Sequence, residues 1–489
     1  MKRVGVVKAG AASAALAAML AGGGGAQATT LTDALLATYA SNPTLTEQRA
    51  QLQATDEQVA IARAGGRPTL GGRVDYTHGI RGLRVLQGLN ESVTASAQLS
   101  VPLYQGGRVR NAIHAADSRV DAGRQTLRAT EGDVLVQAVS AYMDVVRDRA
   151  IVELNTNNVK VLQTNLDATN DRFQAGDLTR TDVAQSQARL EDGRSQLTTA
   201  RSNLTSSEEN YRRVIGQAAA SLDQPPPLPT LPDTGDKAED TAINNNPDIA
   251  AAKESVKAAR YDVSTARASR MPSIAATASN QYYRYSGFAG NGLGVPTGNI
   301  SGNASQAGVT LTLPLYQGGL PSAQVRQAQA YESAALEHET ATERQVIANA
   351  RSAFSTYQAA LEVIRSSQEA LKANTLALEG VRAEQGVGER QVLDVLNAEQ
   401  ELLGSQVTLV SAQRDAYVAG FALLNSMGLV DYKHLGLQGG ALYDPTVNYR
   451  HAVHVVGDWS ENPTPQPVAK VSYGPQVVPE NPPVTPASN

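Results

Sequence analysis

Apolar and polar positions alternate in this chain with two different periods. Leu70, Gly72, Val74, Tyr76 and His78 alternate with Gly71, Arg73, Asp75 and Thr77; after a Gly-rich turn, Val93, Ala95, Ala97, Leu99, Val101 and Leu103 alternate with Ser92, Thr94, Ser96, Gln98 and Ser100. A period of two over this length predicts a pair of strands. The same pattern returns over Ile274 to Tyr285 and Ala307 to Leu315, around the Gly/Asn-rich stretch 286–302. Elsewhere the period is helical. Thr30 to about Gly65 carries an apolar face at Leu31, Leu35 and Leu36, with a turn at Asn42-Pro43. From Arg108 to about Gln174 a seam runs through Leu135, Val139, Tyr142, Val146, Val159, Leu162, Leu166 and Phe173, predicting a helix about 100 Å long.

Gly176 breaks that helix, and the returning one has a seven-residue series at Val183, Leu190, Leu197, Leu204 and Tyr211. Its counterpart is Val395, Leu402, Leu409, Ala416 and Leu423, shadowed by Leu396, Leu403, Val410, Tyr417 and Leu424. Sustained heptads imply a left-handed coiled coil. The returning helix spans about half of the outgoing one, and the helix before each first strand, ending near Gly65 and Ser269, has about the missing length. One long helix against two shorter ones stacked end to end is the expected packing in each half.

The halves are tandem repeats. Leu99-Ser-Val-Pro-Leu-Tyr-Gln-Gly-Gly107 recurs as Leu311-Thr-Leu-Pro-Leu-Tyr-Gln-Gly-Gly319, displaced by 212 positions from Gly106 to Gly318. The same displacement lays Phe173–Val183 over Gln385–Val395 and Gly216 over Gly428, while Asn42-Pro43 and Arg67-Pro68 match Asn246-Pro247 and Met271-Pro272 at 204. Self-similarity of this length places two structural repeats at 29–217 and 241–430, with hairpins at 68–104 and 272–316, a Pro-rich linker at 218–240, and a tail at 431–489 whose prolines and missing periodicity predict disorder.

Composition changes this picture in three places. Lys2, Arg3 and Lys8, the apolar run Ala9–Ala21 and Ala26-Gln27-Ala28 describe a secretory signal over 1–28, with no later run long enough to span a bilayer as a helix. Net charge is −5 and no basic cluster occurs, which excludes nucleic acid as a partner. Cysteine is absent, which removes disulfides, thiolate metal sites, cysteine nucleophiles and a lipidated cysteine together. His451 and His454 have helical metal-ligand spacing but no carboxylate beside them, Gly22 to Gly25 belong to the leader, and no triad or dyad emerges from the six histidines. No enzyme, cofactor or metal site is expected.

Exported strands that are apolar on one face and small-polar on the other match an outer-membrane barrel, with Tyr76, Tyr104, Tyr282, Tyr283, Tyr285 and Tyr316 at the strand ends suited to the membrane interfaces. Two soluble hairpins capping a helical rod are the alternative. Four strands cannot close, and open edges in hydrocarbon leave backbone groups unpaired, so a barrel must be shared between chains. Arg73 and Asp75 among the small inward residues suggest a water-filled lumen.

The export signal, the duplicated hairpin-plus-long-helix halves, Pro-Leu-Tyr-Gln-Gly at both strand-to-helix junctions and Gly-x-x-x-x-x-Asp-Val at both helix turns together resemble the TolC family of outer-membrane efflux proteins. The resemblance covers about Thr30 to Leu429. It implies a mostly α protein with a small antiparallel β part, three copies of which form a twelve-stranded outer-membrane barrel continued by a periplasmic α-helical tunnel. Its junction residues are Pro102, Tyr104, Gly106 and Gly107, and Pro314, Tyr316, Gly318 and Gly319. It also implies docking to a periplasmic adaptor protein and an inner-membrane transporter of ABC or RND type in a Gram-negative bacterium, with the exposed hairpin tips Gly176, Asp177, Leu178, Gly388 and Glu389 as adaptor contacts.

The family closes its tunnel at the helix turns with acidic rings and a charged inter-helix network. Asp394 stands at the first ring position, whereas the second, three residues on, is Asn397. A single carboxylate ring is thus implied, binding cations more weakly than two. Arg390 and Asp182 fall where the family pairs an inner-helix arginine with an outer-helix aspartate, and Gln385 stands where an aromatic partner is common. Asp182 and Asp394 also read as capping or dipole chemistry at helix starts. The function implied is a passive exit duct of a tripartite export system, first for type I protein secretion, as the missing lipidated cysteine suggests, and second for drug or toxic-compound efflux. A periplasmic adaptor is the alternative of another class, although adaptors carry one hairpin beside compact β-rich modules.

Overall fold

The computed structural model describes residues 29–80, 91–288, 298–432, 434–436 and 442–468. The export signal, the Gly-rich turn at 81–90 and the end of the tail lie outside the described residues.

Helix α1 (Leu31–Ser41) opens with a capping box in which Thr30 and Asp33 satisfy each other's backbone N–H groups. Asn42 then caps α2 (Pro43–Ala64), its side chain accepting from Thr44 N at 2.9 Å, with Pro43 in the first turn where no donor is required. Strands β1 (Thr69–His78) and β2 (Glu91–Tyr104) follow, then the long α3 (Arg108–Ala175) and the returning α4 (Arg180–Ile215). The second repeat has α5 (Gly235–Asn245), α6 (Pro247–Ala268), β3 (Ser273–Phe288), β4 (Gly298–Thr312), α7 (Leu320–Gly386) and α8 (Val392–Ser426). Asn246 caps α6 as Asn42 caps α2, accepting from Asp248 N at 2.8 Å. Because α5 begins at Gly235, the last part of the Pro-rich linker is helical.

The four strands form one antiparallel sheet in the order β1-β2-β3-β4, so the β2–β3 pair joins the repeats and β1 and β4 are edges. Register places Leu70, Leu99, Ala278 and Ala307 side by side, and beside that row Val101, Ala276 and Val309. Thr69, Ser100, Thr277 and Gly308 line up on the opposite face, as do Gly71, Gln98, Ser279 and Gln306. One face is therefore apolar and the other small and polar, with Arg73 and Asp75 paired at 2.8 Å on the latter. The strand-end tyrosines do not act together. Tyr282 shares the apolar face, but Tyr283 and Tyr285 project from the polar face and stack at 5.5 Å, one ring lying over Gly302.

Below the sheet, α3 packs against α2 near the strands and against α4 farther away, with α6 and α8 also against it, while α7 packs on α5, α6 and α8. The main core lies midway along the rod, where Leu31, Leu35, Leu135, Val139, Tyr142, Tyr211, Ile215, Phe421, Leu423 and Met427 meet. Twenty residues of α3 are buried, against five of α7, which is one residue shorter and leaves Tyr331, Val363 and Leu376 uncovered. No described helix is long and apolar enough to cross a membrane.

The tail departs from the expectation of disorder. Its segment Val447–His454 is a helix, α9, packed on Val59, Ala116 and Val120 through Tyr449 and Val453. A short amphipathic turn stabilised by tertiary contact leaves little periodic signal in a Pro-rich context.

Candidate channel gate and barrel junction

Each strand-to-helix junction rests on a Gly-Gly pair in left-handed backbone, Gly106 and Gly107 at φ +61° and +84°, Gly318 and Gly319 at +61° and +83°. Side chains rarely adopt these angles. At Gly106 the space is also closed, since a Cβ would lie 2.4 Å from that of Met271. The bend carries the chain from β2 into α3 without a cap side chain. Pro102, Tyr104 and Pro314 border a cavity of about 530 Å³ beneath the sheet, with Arg67, Arg108 and Gln317 in its wall. Tyr316 does not join it and stands exposed. Gln105 Nε2 donates to the Gly65 carbonyl at 2.9 Å, tying the bend to the end of α2.

At the far end, Gly176 and Gly388 reverse the chain at φ +90° and +86° with nothing around them. Asp177 and Glu389 are exposed, but Leu178 is half-buried against a cluster of Leu162, Leu166, Leu190, Val392 and Leu396. That cluster joins the hairpin α3–α4 to α8 of the other repeat.

Asp182 and Asp394 are both engaged at their own helix starts. Thr179 donates to Asp182 from its backbone N at 2.8 Å and its hydroxyl at 2.7 Å, and these bonds hold the Asp182 carboxyl below the usual carboxylate range. Gln391 N donates to Asp394 Oδ2 at 3.2 Å. Arg390 pairs with Glu384 at 2.7 Å on its own hairpin. Within one chain, then, Arg390 and Asp182 are not brought together. Asn397 accepts from Arg189 of α4 at 2.7 Å.

Sequence reasoning missed the buried member of this region. Glu399 on α8 pairs with Arg382 of α7 at 2.9 Å and accepts from Asn165 of α3 at 2.8 and 3.0 Å. With Arg189–Asn397 it ties the two hairpins together across the repeat boundary. The signal was present, because Glu399 interrupts the apolar seam between Leu396 and Leu403, and a charge in a seam needs a partner.

A family model described as outer membrane efflux protein matches residues 36–217 and 239–429. Outer membrane efflux protein BepC of Brucella suis biovar 1 (strain 1330) is 35% identical over 421 residues, covering 86% of this chain and 90% of that protein. Outer membrane protein TolC of Escherichia coli (strain K12) is 26% identical over 419 residues, 83% of each chain. Among solved structures, the outer membrane protein VceC of Vibrio cholerae superposes with a TM-score of 0.68 at 22% identity, over 81% of this chain and 96% of that one.

Proposed function

The chain belongs to the outer membrane efflux protein family, and from that premise we propose that it is the exit duct of a type I protein secretion system. Its family are outer-membrane channels, not enzymes, that act as homotrimers with a periplasmic adaptor and an inner-membrane transporter. One observation carries the duct reading: a four-stranded sheet, apolar on one face and small-polar on the other, with both edges unpaired. Three such sheets joined edge to edge make twelve strands, put the apolar face in lipid and line a lumen with Ser, Thr, Gln and Gly. A wide lumen bearing few charges suits an extended polypeptide of any sequence.

The cargo divides the relatives. A relative 24% identical is named alkaline protease secretion protein AprF (Pseudomonas aeruginosa), and another at 24% is cobalt-zinc-cadmium resistance protein CzcC (Cupriavidus metallidurans). The higher identity to BepC, named for efflux, favours small-molecule efflux as the second reading. Cross-linking the channel in cells and identifying the inner-membrane protein that co-purifies separates them. An ABC transporter supports protein secretion, and an RND pump overturns it in favour of efflux.

In this duct the hairpin tips Gly176, Asp177, Gly388 and Glu389 meet the adaptor, with Leu178 holding its turn from beneath. Asp394 of three chains forms one acidic ring, and Arg390 reaches Asp182 of a neighbouring subunit by exchanging its Glu384 partner. The contacts of Glu399 and Asn397 keep each chain's two hairpins in register while that exchange occurs.

A further inference from the structure

We propose that the C-terminal strap sets Trp459 into the periplasmic lipid interface of the outer membrane, as an anchor at the foot of the barrel; this rests on the barrel reading above. The argument begins with how α9 is held. Asn448 Nδ2 donates to Asp56 Oδ2 at 3.1 Å, the Tyr449 hydroxyl donates to Asp117 at 2.9 Å, and the Arg124 guanidinium lies 5.1 Å from the centre of the Tyr449 ring. Val453 packs into the apolar cluster of Val59, Ala116 and Val120. The partners on α2 rise from Asp56 to Val59, and those on α3 from Arg124 to Ala116, so α9 runs in the direction of the sheet. At the top Arg67 Nη1 donates to the Val455 carbonyl at 3.1 Å. Arg67 stands two residues before β1, in the wall of the junction cavity.

The strap therefore delivers the chain to the foot of edge strand β1. What it delivers is apolar and uncovered: Val456 is 70% and Trp459 97% exposed. Four residues reach at most about 14 Å, and a turn from the Gly457 carbonyl to Ser460 N shortens that span, so Trp459 stays at this level. Leu70, three residues after Arg67 and 75% exposed, begins the apolar face of β1 there. The lipid-facing belt thus starts where the strap ends. Among the described residues nothing shelters so large an apolar ring. An indole has an apolar body and one N–H donor, which is why tryptophan concentrates at the boundary between hydrocarbon and water. Asp458 and Glu461 on either side keep the flanking backbone in the aqueous layer.

Trp459 is the sole tryptophan of the chain, so its emission reports directly. Trimers are reconstituted into phosphatidylcholine vesicles with and without bromine on the acyl chains, and iodide is added as an aqueous quencher. The expected result is a loss of at least half the emission with bromine placed near the headgroup end of the chains, less with bromine near the bilayer centre, and partial protection from iodide. Emission unchanged by bromolipid overturns the proposal: full iodide quenching then means an aqueous tryptophan, and iodide protection means a contact with the neighbouring subunit. In a Trp459→Phe background, Val74→Trp places the probe on the apolar face of β1. Quenching of that probe without quenching of Trp459 rejects the anchor alone, whereas failure of both rejects the barrel placement on which it rests.

Discussion

Glu131 of α3 is 6% exposed, within reach of Arg49, Arg128 and Asp431. Burial pushes its carboxyl up to about 7 in spite of the two guanidinium groups, from an ordinary value of 4.5. Between those values the folded chain holds a proton that the unfolded chain has released. The stabilisation is complete below about pH 4.5 and is lost as pH rises through 7. Glu131→Gln keeps the neutral form at every pH. It should raise stability at pH 8 by about 1–3 kcal/mol and flatten the pH dependence between those limits, measured by calorimetry of the trimer. A lower melting temperature at pH 8 would mean that the pull of Arg49 and Arg128 outweighs burial. At the gate, Glu399→Ala strips acceptors from Arg382 and Asn165, and hydrogen bonds to a charged group contribute about 1.5–3 kcal/mol. Single-channel conductance should rise in that variant, and rise less in Arg390→Ser with Asp182→Ala, because solvent and salt screen an exposed pair. Asp394→Ala should weaken block by multivalent cations without affecting trimer formation. Unchanged block leaves Asp394 with its bond from Gln391 N as its whole role.

Each helical hairpin ends in a glycine whose φ forbids an easy side chain, yet the space around both is open. Replacing Gly176 and Gly388 together with tryptophan costs little packing and about 1–3 kcal/mol of local backbone strain at each turn. Adaptor docking should be lost while trimers survive, read by co-purification of the adaptor and by gel migration. Normal export would remove the tips from the docking surface. Gly428 is the contrasting case. It ends the last turn of α8 at φ +71°, and a Cβ there would meet the Asn245 carbonyl oxygen at 2.5 Å. Gly428→Ala should therefore destabilise by well over ~1 kcal/mol, visible as a lowered thermal midpoint.

A single chain of this shape leaves the outer edges of β1 and β4 and much of the surface of α7 uncovered. Unpaired N–H and C=O groups in hydrocarbon each cost several kcal/mol, so the edges must join β1 to β4 of a neighbour. The apolar residues left uncovered on α7, among them Tyr331, Val363 and Leu376, offer a seam for the adjoining subunit. Extraction in mild detergent should yield a trimer by sedimentation. Proline at Ala95 in the central strand β2 should disrupt sheet formation, whereas at the edge it would mainly block assembly. A monodisperse monomer with full strand content would contradict shared closure.

Sequence alone determined what depends on neighbours in the chain. Alternation marked the four strands, heptads marked the returning helices, and Asn-Pro at 42–43, repeated at 246–247, marked a turn, because periodicity and backbone angle are local properties. Parity counted from Ile274 also separates Tyr282 from Tyr283 and Tyr285, although their clustering at a strand end suggested one shared role. Tertiary structure decided the rest. Glu399 meets Asn165 across 234 positions, and Tyr449 meets Asp117 across 332. A buried charge or a short helix in a Pro-rich tail is stable only with such a partner. No local pattern names the partner, since it is the packing of one repeat on the other, and of the strap on α2, that brings the two groups within a hydrogen bond.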